Sequence, residues 1–267
     1  MPPEPMSHFK EPAWSPQRLT GDPHADPGKP ERVRAMFSAI ARSYDLNNRL
    51  HAFGLDVLWR RRTVRAVMER LGRTHLRGTR VLDVACGTGD LSEAFADAGA
   101  DVTGVDYTPA MLDLARHKAM RRARRRGAPP NYRHGDATDL DQPKGRFDVV
   151  SIAFGLRNVG DTDAAMRQFR RVLRPGGILA VLEFDQPAWA PARWFHRLYT
   201  ERIMPVTATW IARDRSGAYR YLPRSVDTFL RPEGIAHAAA QAGLRDPLVE
   251  RLTMGTCAIV TARRPFV

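Results

Sequence analysis

The chain has 267 residues, 43% of them hydrophobic and 8% aromatic, enough for one α/β domain with extra segments and a sizeable core. No apolar run reaches the roughly 18 residues of a bilayer-spanning helix, which excludes an integral helical membrane protein, and the N-terminus lacks an apolar signal core, which favours the cytoplasm. Forty-two Lys and Arg against 29 Asp and Glu leave a formal charge of +13, a balance suited to nucleic acid, an anionic membrane face or an acidic substrate, and one that arginine-rich composition produces without any partner. The two cysteines, Cys86 and Cys257, sit in apolar strand-like contexts and read as reduced, buried thiols.

Residues 1–28 carry seven prolines and few aliphatics, which predicts a disordered tail. Residues 29–267 read as a single domain. Val33, Met36, Phe37, Ile40 and Tyr44 recur at helical spacing, and a second helix is expected over 54–71, so that residues 29–75 form a helical cover. Strands are then predicted at 80–86, 101–106, 132–134, 147–154 and 178–184. They alternate with helices at 91–98, 109–126 and 162–173, the last broken by Arg174-Pro175-Gly176-Gly177. A lid insertion over 185–230 precedes a helix at 232–241 and two strands, 246–252 and 256–262, joined by a short turn at Met254-Gly255. Strands separated by helices of this length imply βαβ units. The fold class is α/β: a doubly wound, mostly parallel seven-stranded sheet of Rossmann-like kind, with an antiparallel last strand, N-terminal helices and a helical lid.

The stretch LDVACGTGDL, residues 82–91, puts Gly87 and Gly89 after a strand and before a helix, where small residues admit a ligand to the backbone and the helix start offers free N–H groups. Asp106 ends the next strand nineteen positions after Gly87, where a carboxylate meets ribose hydroxyls. The dinucleotide form of this loop has a third glycine, and here Ser92 stands in its place. Asp83, inside the preceding strand, would repel a pyrophosphate but suit a cationic sulfonium. These charges fit S-adenosylmethionine better than NAD. Asp136 ends the third strand, followed by Ala137, within reach of an adenine amino group.

At these residues the chain resembles class I S-adenosylmethionine-dependent methyltransferases. YDLNN (44–48), FGLDVLWRR (53–61), FGLRNVGD (154–161), RVLRPGGILAVLEF (171–184) and YRYL (219–222) narrow the likeness to the ubiquinone/menaquinone-biosynthesis C-methyltransferases, over residues 31–262. The resemblance implies methylation of a ring carbon of a polyprenylated quinol, with S-adenosylmethionine as donor and no metal. It implies cofactor contacts at Thr88, Asp106, Asp136 and Ala137, and substrate-side roles for Tyr44, Arg157 and Asn158. Two positions depart from the family pattern: Asn47, often Met, and Asp56, in many members His. A proton-acceptor role for a histidine at that position is therefore unavailable here. Asp56 resembles menaquinone-only members and favours demethylmenaquinol over the benzoquinol of ubiquinone biosynthesis.

Arg157 stays protonated and cannot act as an ordinary base, so it is expected to stabilise a developing phenolate, with Asn158 on a ring oxygen or the cofactor's amino-acid end and Tyr44 closing the pocket. Within the insertion, Trp194, Phe195, Leu198, Tyr199, Ile203 and Val206 fall on one helix face opposite Arg193, His196, Arg197, Thr200 and Glu201, with Arg202 as the exception and Pro205 as a kink. Such a face either packs as a lid or lies on a membrane. The basic run at 116–127 is read first as a solvated helix face and second as a lipid contact. The expected partners are the quinol and, peripherally, the inner face of a membrane, with no nucleic acid; oligomeric state is left open, a homodimer included. Methylation of another small aromatic acceptor or of RNA, and a non-enzymatic binding module, are the competing readings.

Overall fold

The computed structural model describes residues 12–126, 128–187, 189–212 and 214–266. Two helices, α1 (Lys29–His51) and α2 (Leu55–Leu71), precede the sheet. The alternating part runs β1 (Arg80–Val84), α3 (Asp90–Asp97), β2 (Asp101–Asp106), α4 (Pro109–Arg126), β3 (Asn131–His134), β4 (Phe147–Ala153), α5 (Thr162–Val172) and β5 (Leu173–Phe184). The insertion forms α6 (Ala190–Leu198), a π-helical turn (Tyr199–Ile203), α7 (Met204–Ala212) and α8 (Ala218–Thr228). It leads into α9 (Pro232–Gln241), β6 (Arg245–Leu252) and β7 (Cys257–Arg263). The seven strands lie in the order β3-β2-β1-β4-β5-β7-β6. The first five are parallel, and β7 runs antiparallel to both β5 and β6. The β1, β4 and β5 strands are buried on both faces, which is why they read as continuous apolar runs rather than alternating ones.

β1 and β4 are the adjacent central strands from which the chain winds in opposite directions, and the crevice outside their carboxyl ends is the binding position of open α/β sheets. Two non-glycine residues there, Ala85 and Phe154, take left-handed backbone conformations with φ of 49° and 55°. Such strain persists only where surrounding packing over-determines it. Beyond them, Gly155 passes so close to β1 that an added Cβ would lie 2.6 Å from the Ala85 Cβ.

Residues 12–28, expected as a disordered tail, are packed; residues 1–11 lie outside the described part. The Trp14 indole is fully buried, stacks on Tyr221 at 4.5 Å, and its backbone N–H donates to the Ser216 carbonyl at 3.0 Å. One tryptophan supplies what the proline-rich composition lacks, a large apolar body worth about 3–5 kcal/mol when buried. The break expected at Arg174–Gly177 falls inside β5, where the register to β4 jumps between Phe147 and Val149 and Gly176 adopts φ 77°.

The insertion is helical, and most of its expected apolar face is exposed rather than packed as a lid. Met204 and Ala208 pack with Trp14, Ile40 and Tyr219, while Trp194, Leu198, Ile203, Val206 and Trp210 are exposed. Pro205 lies in the first turn of α7, and the irregularity it imposes on the preceding carbonyls is taken up one turn earlier, as the π-helical turn. The side chains of Phe195, His196 and Glu201 lie outside the described part. Among the described residues no helix is long and apolar enough to cross a membrane.

Candidate active site

A cavity of about 490 Å³ opens outside the carboxyl ends of β1, β2, β3 and β4. Gly87 lines it with φ 56°, and an added Cβ there would point into open space. The Gly87 N–H donates to Asp106 Oδ2 at 2.7 Å and the Thr108 N–H to Oδ1 at 2.8 Å, so the end of β2 is tied to the glycine loop. Burial raises the Asp106 carboxyl above the ordinary range, against these hydrogen bonds. Asp136 caps its own turn, accepting from the Thr138 N–H and Oγ1 at 2.8 Å, and presents Ala137 beside it. Tyr44, Gly87, Asp106, Asp136, Ala137 and Asn158 are thus gathered around one space.

Asp83, Thr88 and Gly89, also expected at the cofactor, do not line it. Asp83 is buried inside β1 and accepts from Ser92 Oγ at 2.6 Å and Ser151 Oγ at 2.7 Å. Burial pushes its carboxyl up to about 6. Ser92, in the place of the third glycine, joins α3 to β1 through this bond. Thr88 Oγ1 donates to Asp45 Oδ1 of α1 at 2.5 Å, and Lys118 of α4 bridges Asp45 and Asp90. Part of the basic run on α4 is therefore spent within the fold, with Arg122 on Asp97 and Arg116 on Asp113. Gly89 is dictated by packing: at φ 86°, its Cβ would meet the Tyr132 hydroxyl at 2.1 Å.

A second cavity of about 280 Å³, mainly aromatic and aliphatic, lies between α1, α2, β5 and the α6–α8 insertion. Phe37, Tyr44 and Phe154 line both cavities. Burial raises the Tyr44 hydroxyl above its usual value.

Arg157 faces this second space and not the first. It sits in a 3₁₀ turn after β4 (Leu156–Asn158), where its Nη1 donates to Glu183 Oε1 at 2.7 Å and to the Phe154 carbonyl at 2.6 Å. Its Nε is buried without a hydrogen bond. Asn158 donates from Nδ2 to the Phe154 carbonyl at 3.2 Å and accepts from the Tyr221 hydroxyl at 3.0 Å. A second buried ion pair stands in the same cavity, Arg60 Nη1 to Asp56 Oδ2 at 2.7 Å on successive turns of α2.

Glu183 was not singled out from the sequence, although an acid inside the apolar run ILAVLEF is a readable sign that something basic must meet it. In sequence, Phe154 marks the end of a strand and the start of the FGLRNVGD stretch, with no role of its own at the site. Its backbone carbonyl and ring organise the site, the ring lying 4.5 Å from Phe184 and under the Arg60 guanidinium at 5.6 Å.

Residues 26–264 match a model of the ubiE/COQ5 methyltransferase family. The demethylmenaquinone methyltransferase of Thermus thermophilus is 43% identical over 232 residues, covering 86% of this chain and all of the relative. The ubiquinone/menaquinone biosynthesis C-methyltransferase UbiE of Shewanella woodyi is 35% identical over 236 residues, covering 86% of this chain and 90% of the relative. In fold, the chain is similar to a possible histamine N-methyltransferase of Thermotoga maritima, with a TM-score of 0.56 at 17% identity over 87% of this chain and 99% of that one. A likeness so low in identity speaks for the fold alone. The family match covers nearly everything from α1 to β7, so the strand-end cavity with its glycine loop and the apolar cavity behind Tyr44 are those of a member of the ubiE/COQ5 methyltransferase family.

Proposed function

We propose that the chain transfers a methyl group from S-adenosylmethionine to a ring carbon of demethylmenaquinol. One observation carries this reading: a cavity that presents the Gly87 backbone and the carboxyls of Asp106 and Asp136 meets a more apolar one across Phe37, Tyr44 and Phe154. Methyl transfer needs a water-soluble donor and a greasy acceptor held face to face, and positioning alone removes much of its barrier.

The first cavity fits the donor. Its left-handed Gly87 leaves room at the backbone, the two acids at the ends of β2 and β3 are acceptors for hydroxyl and amino groups, and Tyr107 stands beside them. Asp106 would hold the ribose, and Asp136 with Ala137 the adenine. Thr88 would act from behind, fixing the loop to α1 through Asp45. When bound, the sulfonium supplies an electrophilic methyl, whose bond to sulfur breaks as the ring carbon's bond forms, with the electron pair leaving on sulfur. Arg157 presents its remaining donors to the acceptor's ring oxygen and stabilises negative charge there. Asn158, held at both ends of its amide, shapes the floor between the two ligands. Tyr44 closes the junction.

The exposed apolar side chains of α6 and α7 belong to the same insertion whose Tyr199 and Met204 line the second cavity together with Phe53. This supports peripheral docking on a membrane's cytoplasmic face, with the prenyl tail remaining in lipid. The deciding assay incubates purified chain with labelled S-adenosylmethionine and, in separate arms, demethylmenaquinol or the demethylated benzoquinol. Label in menaquinol is expected. Label only in the benzoquinol arm moves the chain to ubiquinone chemistry, and label in neither, with cofactor bound, overturns the quinol reading.

A further inference from the structure

The family reading leaves the hydroxyl proton of the acceptor without a destination, because Arg157 can only donate. A phenol-type ring is a weak carbon nucleophile until that proton is at least shared. Asp56 is 4% exposed and lines the apolar cavity. Its Oδ2 is taken by Arg60, while Oδ1 is buried and has no hydrogen bond. A buried carboxylate oxygen with no donor, on a residue that lines a greasy cavity, is costly unless a ligand supplies the donor.

His51 offers a second buried acceptor in the same cavity, its Nε2 likewise without a hydrogen bond. Its other nitrogen is tied to the Tyr199 hydroxyl at 3.0 Å, and Tyr199 packs on Phe53, which is 76% exposed, so His51 belongs to the outer rim. Asp56 belongs to the inner end. Its partner Arg60 lies over the ring of Phe154, the residue shared with the donor cavity, whose carbonyl also receives Arg157.

Resting on the quinol reading above, we infer that Asp56 Oδ1 is the catalytic base that accepts the ring hydroxyl proton of the acceptor. The O–H bond breaks toward the carboxylate, and its electron pair passes through the ring to the adjacent carbon as that carbon takes the methyl. The resulting carboxyl returns its proton to the ring oxygen when the methylated carbon loses its own hydrogen to water. One proton is released overall, and the quinol leaves at its original oxidation level. Arg60 holds the carboxylate in one orientation and keeps Oδ1 free. The other titratable groups in the cavity are His51, Arg157, Asp227 and the tyrosines, among them Tyr44 and Tyr219.

The test compares wild type, Asp56→Asn, Asp56→His and His51→Gln with demethylmenaquinol across pH, together with calorimetric binding of S-adenosylmethionine. Equilibrium binding of 1-naphthol and of 1-methoxynaphthalene gives a readout independent of turnover. Asp56→Asn is expected to lose about 100-fold or more in kcat, with S-adenosylmethionine affinity unchanged and the preference for naphthol over its methyl ether reduced several-fold. Its remaining rate should climb toward high pH as the acceptor ionises unaided. Asp56→His should recover turnover with an acid limb near the imidazole value of about 6.5, which a merely structural role would not produce. Should Asp56→Asn fail to fold, the moved limb in Asp56→His decides alone. Near-wild-type turnover in Asp56→Asn, or an unmoved limb in Asp56→His, overturns the inference, and loss confined to His51→Gln hands the role to His51. Absence of turnover in wild type would instead count against the quinol reading itself.

Discussion

Arg157 Nη1 lies 2.7 Å from Glu183 Oε1, with both side chains almost wholly buried at the carboxyl ends of β4 and β5. Removing either partner strands the other's charge in a low-dielectric site, at about 3–5 kcal/mol. Arg157→Met is therefore expected to lower stability by that amount and kcat by about 100-fold, with S-adenosylmethionine affinity retained, since Arg157 does not line the donor cavity. The double variant Arg157→Met/Glu183→Gln should recover most of the stability in urea titrations and none of the turnover. If turnover returns with stability, Arg157 acts only through the fold.

Asp83 titrates against the fold. Its carboxyl is pushed up to about 6, first by burial, from an ordinary value of 3.8. A folded-state pKa above the unfolded one means that the native state holds the proton more tightly between those values, so this group's contribution to stability falls as pH rises from about 4 through 6. Above pH 6 the ionised, buried carboxylate costs about 3 kcal/mol. Asp83→Asn is expected to raise Tm at pH 8, and its advantage over wild type should shrink as pH is lowered through 6 toward 4. A Tm difference independent of pH over that range would show that the two serines compensate the charge fully.

The glycines at 87 and 89 look alike in sequence and do different work. Both have positive φ, but only at Gly89 would a Cβ collide, meeting the Tyr132 hydroxyl at 2.1 Å and its ring at 2.7 Å. Gly89→Ala should cost several kcal/mol through strain and overpacking, seen as a large Tm loss. Gly87→Ala should lose only about 1 kcal/mol but weaken S-adenosylmethionine binding, because its methyl would project into the donor cavity. Calorimetry and thermal unfolding on the two variants should separate the effects; equal loss of affinity in both would put Gly89 back at the ligand.

The regular part of the fold was legible because β1, β2, β4 and β5 carry dense β-branched runs with a helical period between them. The ends of those strands announced the donor site, since Gly87, Asp106 and Asp136 fall at the three turns that the topology converges. What stayed hidden depends on partners distant in sequence. Trp14 reads as one aromatic in a proline-rich tail until Tyr221 arrives from α8. Asp83 reads as a strand acid suited to a sulfonium until Ser151, 68 positions later on the neighbouring strand, is seen to occupy one of its oxygens. Arg157 reads as a phenolate stabiliser, and its ion-pair partner stays unseen until Glu183 is placed beside it.

The N-terminal segment gives a further prediction. Trp14 stacks on Tyr221, and Tyr221 donates to Asn158, so residues 12–28 are connected to the floor of the site by two contacts. Trp14→Ala should cost about 3–5 kcal/mol and raise KM for the quinol more than that for S-adenosylmethionine. Limited proteolysis should then cut within residues 12–28 at a rate that spares the sheet. Unchanged KM values with a lowered Tm would reduce the strap to a purely structural element.

The membrane reading turns on α7, where Val206 and Trp210, one helical turn apart, are 69% and 83% exposed beside the buried Met204 and Ala208. Neither lines the apolar cavity. Transferring a large apolar side chain from water is worth about 1.5–3 kcal/mol, so the pair can hold a protein at an interface only together with a second attraction. The net charge of +13 supplies one wherever lipid is anionic. Wild type is expected to float with vesicles containing phosphatidylglycerol and to be released by salt, with weaker flotation on neutral phosphatidylcholine. Val206→Ser/Trp210→Ser should cut recovery at least fivefold on both, while turnover of a short-chain demethylated quinol in solution stays at the wild-type rate. Equal flotation of wild type on the two lipids would remove the electrostatic half of the attraction. Unchanged flotation of the double variant would show that α7 is not the surface that meets lipid.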